Sequence, residues 1–460
     1  MSTTRANGEP ASNVAQAAWV TYEWANQPYF SLITIFLFAP YFSAVFVGDA
    51  VQGQTVWGYV QASAGIIIAV LSPFLGAMAD AAGRRKPWIV FFVLMSAVGS
   101  FGLWWAIPGT PIMPIVLSLI VASVGMEFAI IFANAMLPTI ASEKRIGLLS
   151  GIGIGAGQIA GIFALLIVLV YLQLPGVVEA SFIPDAPVFG LSKEAFETDR
   201  IVGPISGLWF VVFMLPLLLL VPDQVSRGLS RVAAMKEGVV RLGHTVTKAW
   251  HFRNVALYLL SRMAFYDGMN AIFVFGGILA ASTFHWGAME MAIYGIWATF
   301  FAAVGAFVGG WTDQKFGSKS TLLVSLVLAL VSFILLVSFD RDRIFFVVEV
   351  PFVEGAKAFS TLPEQLFLLT IAFFALMAGP TIASSRTMLA RIAPIEMMTE
   401  FFGLYSLAGK ATTFVAPLLI GIVTASTGSQ RLGLAVVVPL IVGGIIMLCF
   451  VKEERATSIT

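Results

Sequence analysis

Six ionisable side chains stand inside long apolar stretches of this chain: Glu23, Glu127, Arg262, Asp267, Arg386 and Lys410. An ionised group deep in a bilayer is costly, so each is expected to face a cavity, a partner or a ligand, which makes it a functional candidate by default. A carboxylate whose burial and neighbouring charges change can take up and release a proton, and Glu127, Asp267 and Glu23 are the candidates for proton coupling. Arg262 and Arg386 are the candidates for binding an anionic group of a solute, because a guanidinium presents a planar fork that matches a carboxylate. Glu127 and Asn134 are seven apart and share a helix face, while Asp267 and Asn270, three apart, also point together. Asn26, Asn134, Asn270 and Tyr266 join the arginines as candidate solute contacts. The alternative for every acid is a static interhelical pair that fixes the fold. For Lys410 it is a pairing with a neighbouring acid.

The elements that must hold these residues are the apolar stretches themselves. The 460 residues are 59% hydrophobic and 11% charged, against about 25% charge in soluble domains. Stretches of about 20 apolar residues, the length a hydrocarbon core of about 30 Å demands, recur throughout. They fall at roughly 22–47, 57–79, 87–107, 112–137, 147–174, 201–221, 255–281, 288–311, 320–338, 366–389, 401–426 and 431–451, about twelve helices. The predicted fold is an all-α membrane protein: an N-terminal six-helix bundle over 1–221, a cytoplasmic linker over 222–254 and a C-terminal six-helix bundle over 255–460. Between Val225 and Trp250 the linker places apolar residues at steps of three and four, with Arg227, Arg231, Lys236 and Lys248 on other faces. That pattern suits a helix lying against anionic lipid headgroups. Arg84, Arg85, Lys86, Lys144, Arg145, Lys315, Lys319 and Arg391 all fall in connections on that side, which puts both termini in the cytoplasm.

Other function classes find little support. The Gly151 to Gly157 run lacks a preceding strand and reads as helix packing and not as a phosphate loop. His244, His251 and His285 show no metal-ligand spacing, no nucleophile and base stand together, and no cofactor, metal or nucleic acid is expected. Cys449 is the only cysteine, so no intramolecular disulfide forms. Residues 1–20 lack the pattern of a cleaved signal, so the first helix is expected to stay. The absence of any Asn-X-Ser/Thr acceptor is compatible with a bacterial inner membrane.

The two halves repeat each other. Tyr22-Glu23-Trp24-Ala25-Asn26 reads against Tyr266-Asp267-Gly268-Met269-Asn270, and the string Gly76 to Lys86, with Asp80, Gly83, Arg84 and Arg85, reads against Gly309 to Lys319 with Asp313. Two parallel six-helix repeats follow from this. Asp80 near a helix C-terminus is placed to pair with Arg84 or Arg85, a contact that would latch one face in one state; the alternative is that the basic run only sets topology. The duplicated glycine-acid-glycine-basic string resembles the signature of the major facilitator superfamily over nearly the whole chain. In finer detail, Tyr22 to Tyr29, Arg262 to Gly277, Ser385 to Pro394 and Glu400 to Pro417 resemble the vacuolar-effluxer branch, whose fungal members are associated with amino-acid release from the vacuole after autophagy. At Ile382 this chain departs from the glutamine common in that branch.

The resemblance implies that the first, fourth, seventh and tenth helices line a central cavity, which takes in five of the six charges. It also implies alternating access, a small-molecule solute such as an amino acid, and a monomer. Two other readings stand beside a proton-coupled secondary transporter. One is an exporter of hydrophobic or toxic compounds, served by the aromatic-rich spans; the other is a non-transporting membrane sensor or scaffold.

Overall fold

The computed structural model describes residues 11–82, 84–141, 143–223, 251–351, 357–394 and 398–454. Among these, twelve helices are long and apolar enough to cross a membrane. They are α1 (Asn13–Phe46), α2 (Ala50–Ser72, its helix continuing to Ala82), α3 (Lys86–Trp105), α4 (Ile112–Leu137), α5 (Leu149–Gln173) and α6 (Glu197–Leu220). The second set is α7 (Arg253–Phe284), α8 (Ala288–Phe316), α9 (Ser318–Ser338), α10 (Leu362–Ile392), α11 (Phe401–Thr427) and α12 (Gln430–Phe450). The expected count of twelve holds. The linker over 222–254 falls almost wholly outside the described residues.

Helix ends lie where capping chemistry puts them. The first span begins at Asn13 and not near residue 22, because the Ser12 hydroxyl accepts from Ala15 N–H at 3.3 Å and starts the helix nine residues earlier than hydropathy suggests. Pro28 lies inside this span, and wide π-type turns follow it over Tyr29–Phe36, the local unwinding expected where a backbone donor is removed. The α10 start carries a capping box: Glu364 Oε2 accepts from Thr361 N–H at 3.2 Å, with Pro363 in the first turn. Before it, a two-stranded hairpin pairs Arg343–Ile344 with Val348–Glu349, an element absent from the sequence reading.

The chain forms two compact units, residues 1–42 with 63–242 and residues 43–62 with 243–460. In the first, α3 and α4 meet through glycine: a Cβ on Gly99 would stand 2.5 Å from Ala122 N, and one on Gly125 2.5 Å from Ser96 N. In the second, α8 and α10 do the same, since a Cβ on Gly379 would run into the Gly305 backbone. Without a hydrophobic drive between helices in lipid, such backbone approach and its dispersion contacts supply much of the packing. The first turns of α2 belong to the second unit, where Gln54 Nε2 donates to Thr424 Oγ1 at 2.8 Å.

Candidate functional site

In the first unit the polar residues gather where α1, α4 and α5 meet. α1 and α4 run antiparallel and are pinned at three heights. Trp19 Nε1 donates to Ala133 O at 2.8 Å, the Tyr22 hydroxyl lies 2.7 Å from Asn134 Oδ1, and Tyr29 and Ser123 share a hydrogen bond of 2.9 Å. Tyr22 also reaches Glu23 Oε1, and Asn26 Nδ2 donates to Glu23 Oε2 at 3.2 Å. Tyr22 and Asn26 are buried, Glu23 is half-buried and Asn134 is exposed. The glycine run on α5 forms the seat for this acid: a Cβ on Gly153 would stand 3.2 Å from Glu23 Cγ, and one on Gly157 3.3 Å from Glu23 O. The packing role expected for that run therefore has a specific object. Glu127, half-buried, lies on the face of α4 defined by Ser123 and Asn134.

In the second unit Arg262 on α7 is 5% exposed. Its guanidinium lies 3.5 Å from the Tyr405 ring centroid and 4.7 Å from that of Tyr266, and Nη1 donates to Tyr405 O at 2.9 Å. Gly409 on α11 makes room for it, since a Cβ there would stand 2.6 Å from Nη1. Among the described residues Arg262 has no ion pair, and its Nε is buried without a hydrogen-bond partner. A hydroxyl chain joins this group to α10: Tyr405 and Ser385 hydroxyls lie 2.9 Å apart, and the Tyr258 hydroxyl reaches both Ser385 O and Ser385 Oγ. The next residue, Arg386, is exposed, as is Asn270, and Tyr266 is half-buried.

Asp267 is 3% exposed and does something sequence spacing did not suggest. α11 is interrupted, helical over Met398–Ala411 and again over Val415–Thr427. Asp267 Oδ2 accepts from Ala416 N–H at 3.0 Å, so this acid from α7 caps the second segment of α11. Lys410 sits in the last turn of the first segment, where a cation meets the negative end of the helix dipole.

The contacts give a different register for the repeat than the sequence does. Ala133 stands seven residues before Ile140, the last residue of the α4 helix, and Ser385 seven before Ile392, the last of α10. Trp19 donates to the first carbonyl and Tyr258 to the second. Counting on, Glu23 matches Arg262 and Asn134 matches Arg386. Independently, Gly157 holds Glu23 and Gly409 holds Arg262, at the same spacing of 252 residues that separates Asn134 from Arg386 (409 − 157 = 386 − 134). The Tyr22 and Tyr266 pentads are alike in letters but not in place. An acid in one half answers to an arginine in the other.

The glycine-acid-basic strings form clasps within each unit. Arg85, 7% exposed, donates its guanidinium to Ala135 O, and Arg85 N–H and Lys86 N–H donate to Asp223 Oδ1 and Oδ2 at 2.9 and 3.2 Å. Asp313 pairs with Arg391 at 3.4 Å, Arg391 with Glu453 at 2.6 Å, and Glu453 accepts from Ser318 and Lys319 N–H at 3.1 and 3.2 Å. Arg84 is exposed. Gly76 and Asp80 lie in the α2 helix, but the surroundings of the Asp80 side chain fall outside the described residues, as does Gly83 altogether.

Comparison with known proteins places this arrangement. The sequence profile of the family described as "Vacuole effluxer Atg22 like" matches residues 42–459. The chain belongs to that family. An uncharacterized MFS-type transporter, YxiO of Bacillus subtilis (strain 168), is 26% identical over 96% of both chains. Autophagy-related protein 22 of Cryptococcus neoformans var. neoformans serotype D (strain JEC21) is 24% identical over 58% of this chain. The matched region there spans 47% of the fungal protein. Among solved structures, a D-xylose-proton symporter aligns with a TM-score of 0.68 at 13% identity, covering 97% of this chain and all of its own. A bacterial homolog of the human lysosomal transporter Spinster aligns at 0.63 and 14%, covering 98% and 100%. The Atg22-like chain therefore has the major facilitator fold: an integral membrane protein of twelve spans and a secondary transporter by family and fold.

Sequence reading missed two residues of this Atg22-like protein that act in the clasps, Asp223 and Glu453. The signal was available: in each half an acid stands three residues beyond the last span, at Leu220 and Phe450, with a valine before it (Val221, Val451). It was passed over because a charge just outside an apolar span ordinarily reads as a solvated end.

Proposed function

We propose that this transporter moves a small carboxylate-bearing solute, an amino acid in the first place, by alternating access with proton coupling. The observation that supports it is Arg262: a guanidinium buried in the membrane-spanning part with no counter-carboxylate among the described residues and with an unsatisfied Nε. Such a charge is held by ring faces and one carbonyl, and an incoming carboxylate would complete it. Through Tyr405 and Ser385 it is tied to the turn bearing the exposed Arg386, which takes the direct contact with the solute; Arg262 supplies the field behind it. Asn134, Asn26, Asn270 and Tyr266 serve as polar walls. Glu23 is the proton carrier, with Glu127 the second acid of the same unit. Asp267 we assign to holding α11, since one oxygen of its carboxylate already caps the second segment of that helix. The clasps at Arg85 and Asp313 steady the cytoplasmic turns, the protein acts as a monomer among membrane lipids, and a cell-membrane setting with cytoplasmic termini follows from the basic connections.

The test is a thermal-shift screen of purified protein against amino acids, dipeptides, organic acids, sugars and lipophilic cations, repeated on Arg386→Ala and Asp267→Asn. A ligand that binds only the folded state raises the melting temperature by mass action. An amino acid should stabilise the wild type and Asp267→Asn but not Arg386→Ala. Stabilisation by lipophilic cations alone would overturn the carboxylate assignment in favour of an exporter of hydrophobic compounds.

A further inference from the structure

The Tyr22 hydroxyl lies between two acceptors, Glu23 Oε1 and Asn134 Oδ1 at 2.7 Å, and a phenol has one hydrogen to give. Between these two described partners, two arrangements satisfy the count. With Glu23 ionised, Tyr22 donates to the carboxylate, and Asn134 must turn its amide so that Nδ2–H donates to the phenol oxygen. With Glu23 protonated, its O–H donates to the phenol oxygen, and Tyr22 donates to Asn134 Oδ1. In both, Asn26 Nδ2 donates to Glu23 Oε2. Adding one proton at Glu23 therefore reverses two hydrogen bonds in line and turns the Asn134 amide about half a revolution. Asn134 is exposed while Tyr22 is 1% exposed, so the reversal starts at the half-buried acid and is delivered at an accessible amide.

We infer that Tyr22 and Asn134 form a polarity relay: the proton load of Glu23 sets whether Asn134 shows the solute a hydrogen-bond donor or an acceptor. With Glu23 protonated the amide N–H₂ faces outward and suits an anionic group; with Glu23 ionised the carbonyl faces outward and suits an ammonium or hydroxyl. This rests on the reading of Glu23 as the proton carrier and deepens it by naming how the proton is felt at the solute. Among the described residues, the groups facing the pair come from three neighbouring helices and from α1 itself. α5 meets Glu23 with Gly153 and Gly157, α6 brings the Trp209 indole, which donates to Trp24 O at 3.0 Å, and α1 itself brings Trp19, Tyr22 and Asn26. α4 brings Asn134 and, seven residues away on the same face, Glu127, whose charge must be controlled for.

The test needs no solute. Infrared difference spectra between neutral and acidic pH, on the full chain in lipid, should show in wild type a carboxylic acid band that Glu23→Gln lacks and Glu127→Gln keeps. They should also show an asparagine amide band that Asn134→Ala lacks. In Tyr22→Phe, which keeps the buried ring and removes the hydroxyl, the Glu23 band should persist and the Asn134 band should vanish. An Asn134 band that survives in Tyr22→Phe, or is absent from wild type while the Glu23 band is present, overturns the relay alone. Absence of a Glu23 band in wild type overturns the reading of Glu23 as proton carrier.

Discussion

Glu23 and Arg262 occupy matching points of the two units, each four residues after an aromatic residue that donates to the opposing helix and each packed on a glycine. Their surroundings differ in kind. Glu23 is half-buried among groups that can both donate and accept. Arg262 is buried between two tyrosine rings, cannot lose its proton, and offers donors alone. On the proposed mechanism, one fold position carries the proton-accepting charge in one half and a permanent charge in the other. A transporter that couples a proton to an anionic solute would need one of each.

The largest test of this contrast is Arg262→Met against Glu23→Gln. Arg262→Met should abolish transport and solute-induced stabilisation while leaving the unliganded melting temperature unchanged or raised, because an uncompensated buried charge has been replaced by an apolar chain. Glu23→Gln should keep solute binding and lose only its pH dependence. A marked fall in the melting temperature of unliganded Arg262→Met would make that arginine a structural brace and remove the contrast. A middle-sized effect is expected at the glycine seats. Gly409→Ala pushes a methyl to 2.6 Å from Arg262 Nη1 and should displace the guanidinium from its ring, whereas Gly153→Ala meets Glu23 Cγ at 3.2 Å. Solute affinity should weaken about tenfold in the first, about 1.4 kcal/mol, and change little in the second. Equal effects would mean that both seats bear alike on the solute and would remove the contrast.

The smallest effect lies in the clasps. Asp223→Asn and Glu453→Gln each weaken an anionic cap on a helix N-terminus, at about 1 kcal/mol or less. Glu453→Gln should be the larger because it also loses the 2.6 Å pair with Arg391, itself tied to Asp313. Thermal unfolding in detergent would read the difference, and an equal loss would show that the Arg391 pair adds nothing.

Hydropathy and length made the twelve spans legible, because lipid leaves helices few alternatives. Of the candidate residues, the presence of polar groups within the spans was legible and their partners were not; Asp267 and Asn270, three apart, do not share surroundings, the first being buried and the second exposed. Tyr22 with Asn134 and Arg262 with Tyr405 are separated by 112 and 143 residues, and no periodicity within one helix fixes the rotation of one span against another. The Tyr-acid-x-x-Asn likeness misled for the same reason: it matched letters at an offset of 244, whereas hydrogen bonds and glycine seats set the equivalent of Glu23 at an offset of 239 (262 − 23). The interruption in α11 carries no sequence warning beyond Pro417, and its cap, Asp267, comes from another helix.

The two clasps also bear on how the protein is made. Lys86 waits for Asp223 across 137 residues and Lys319 for Glu453 across 134. At ribosomal rates of about 5–20 residues per second, each third helix spends roughly 7–27 s inserted with its first turn uncapped. Each six-helix half thus closes only when its last span arrives.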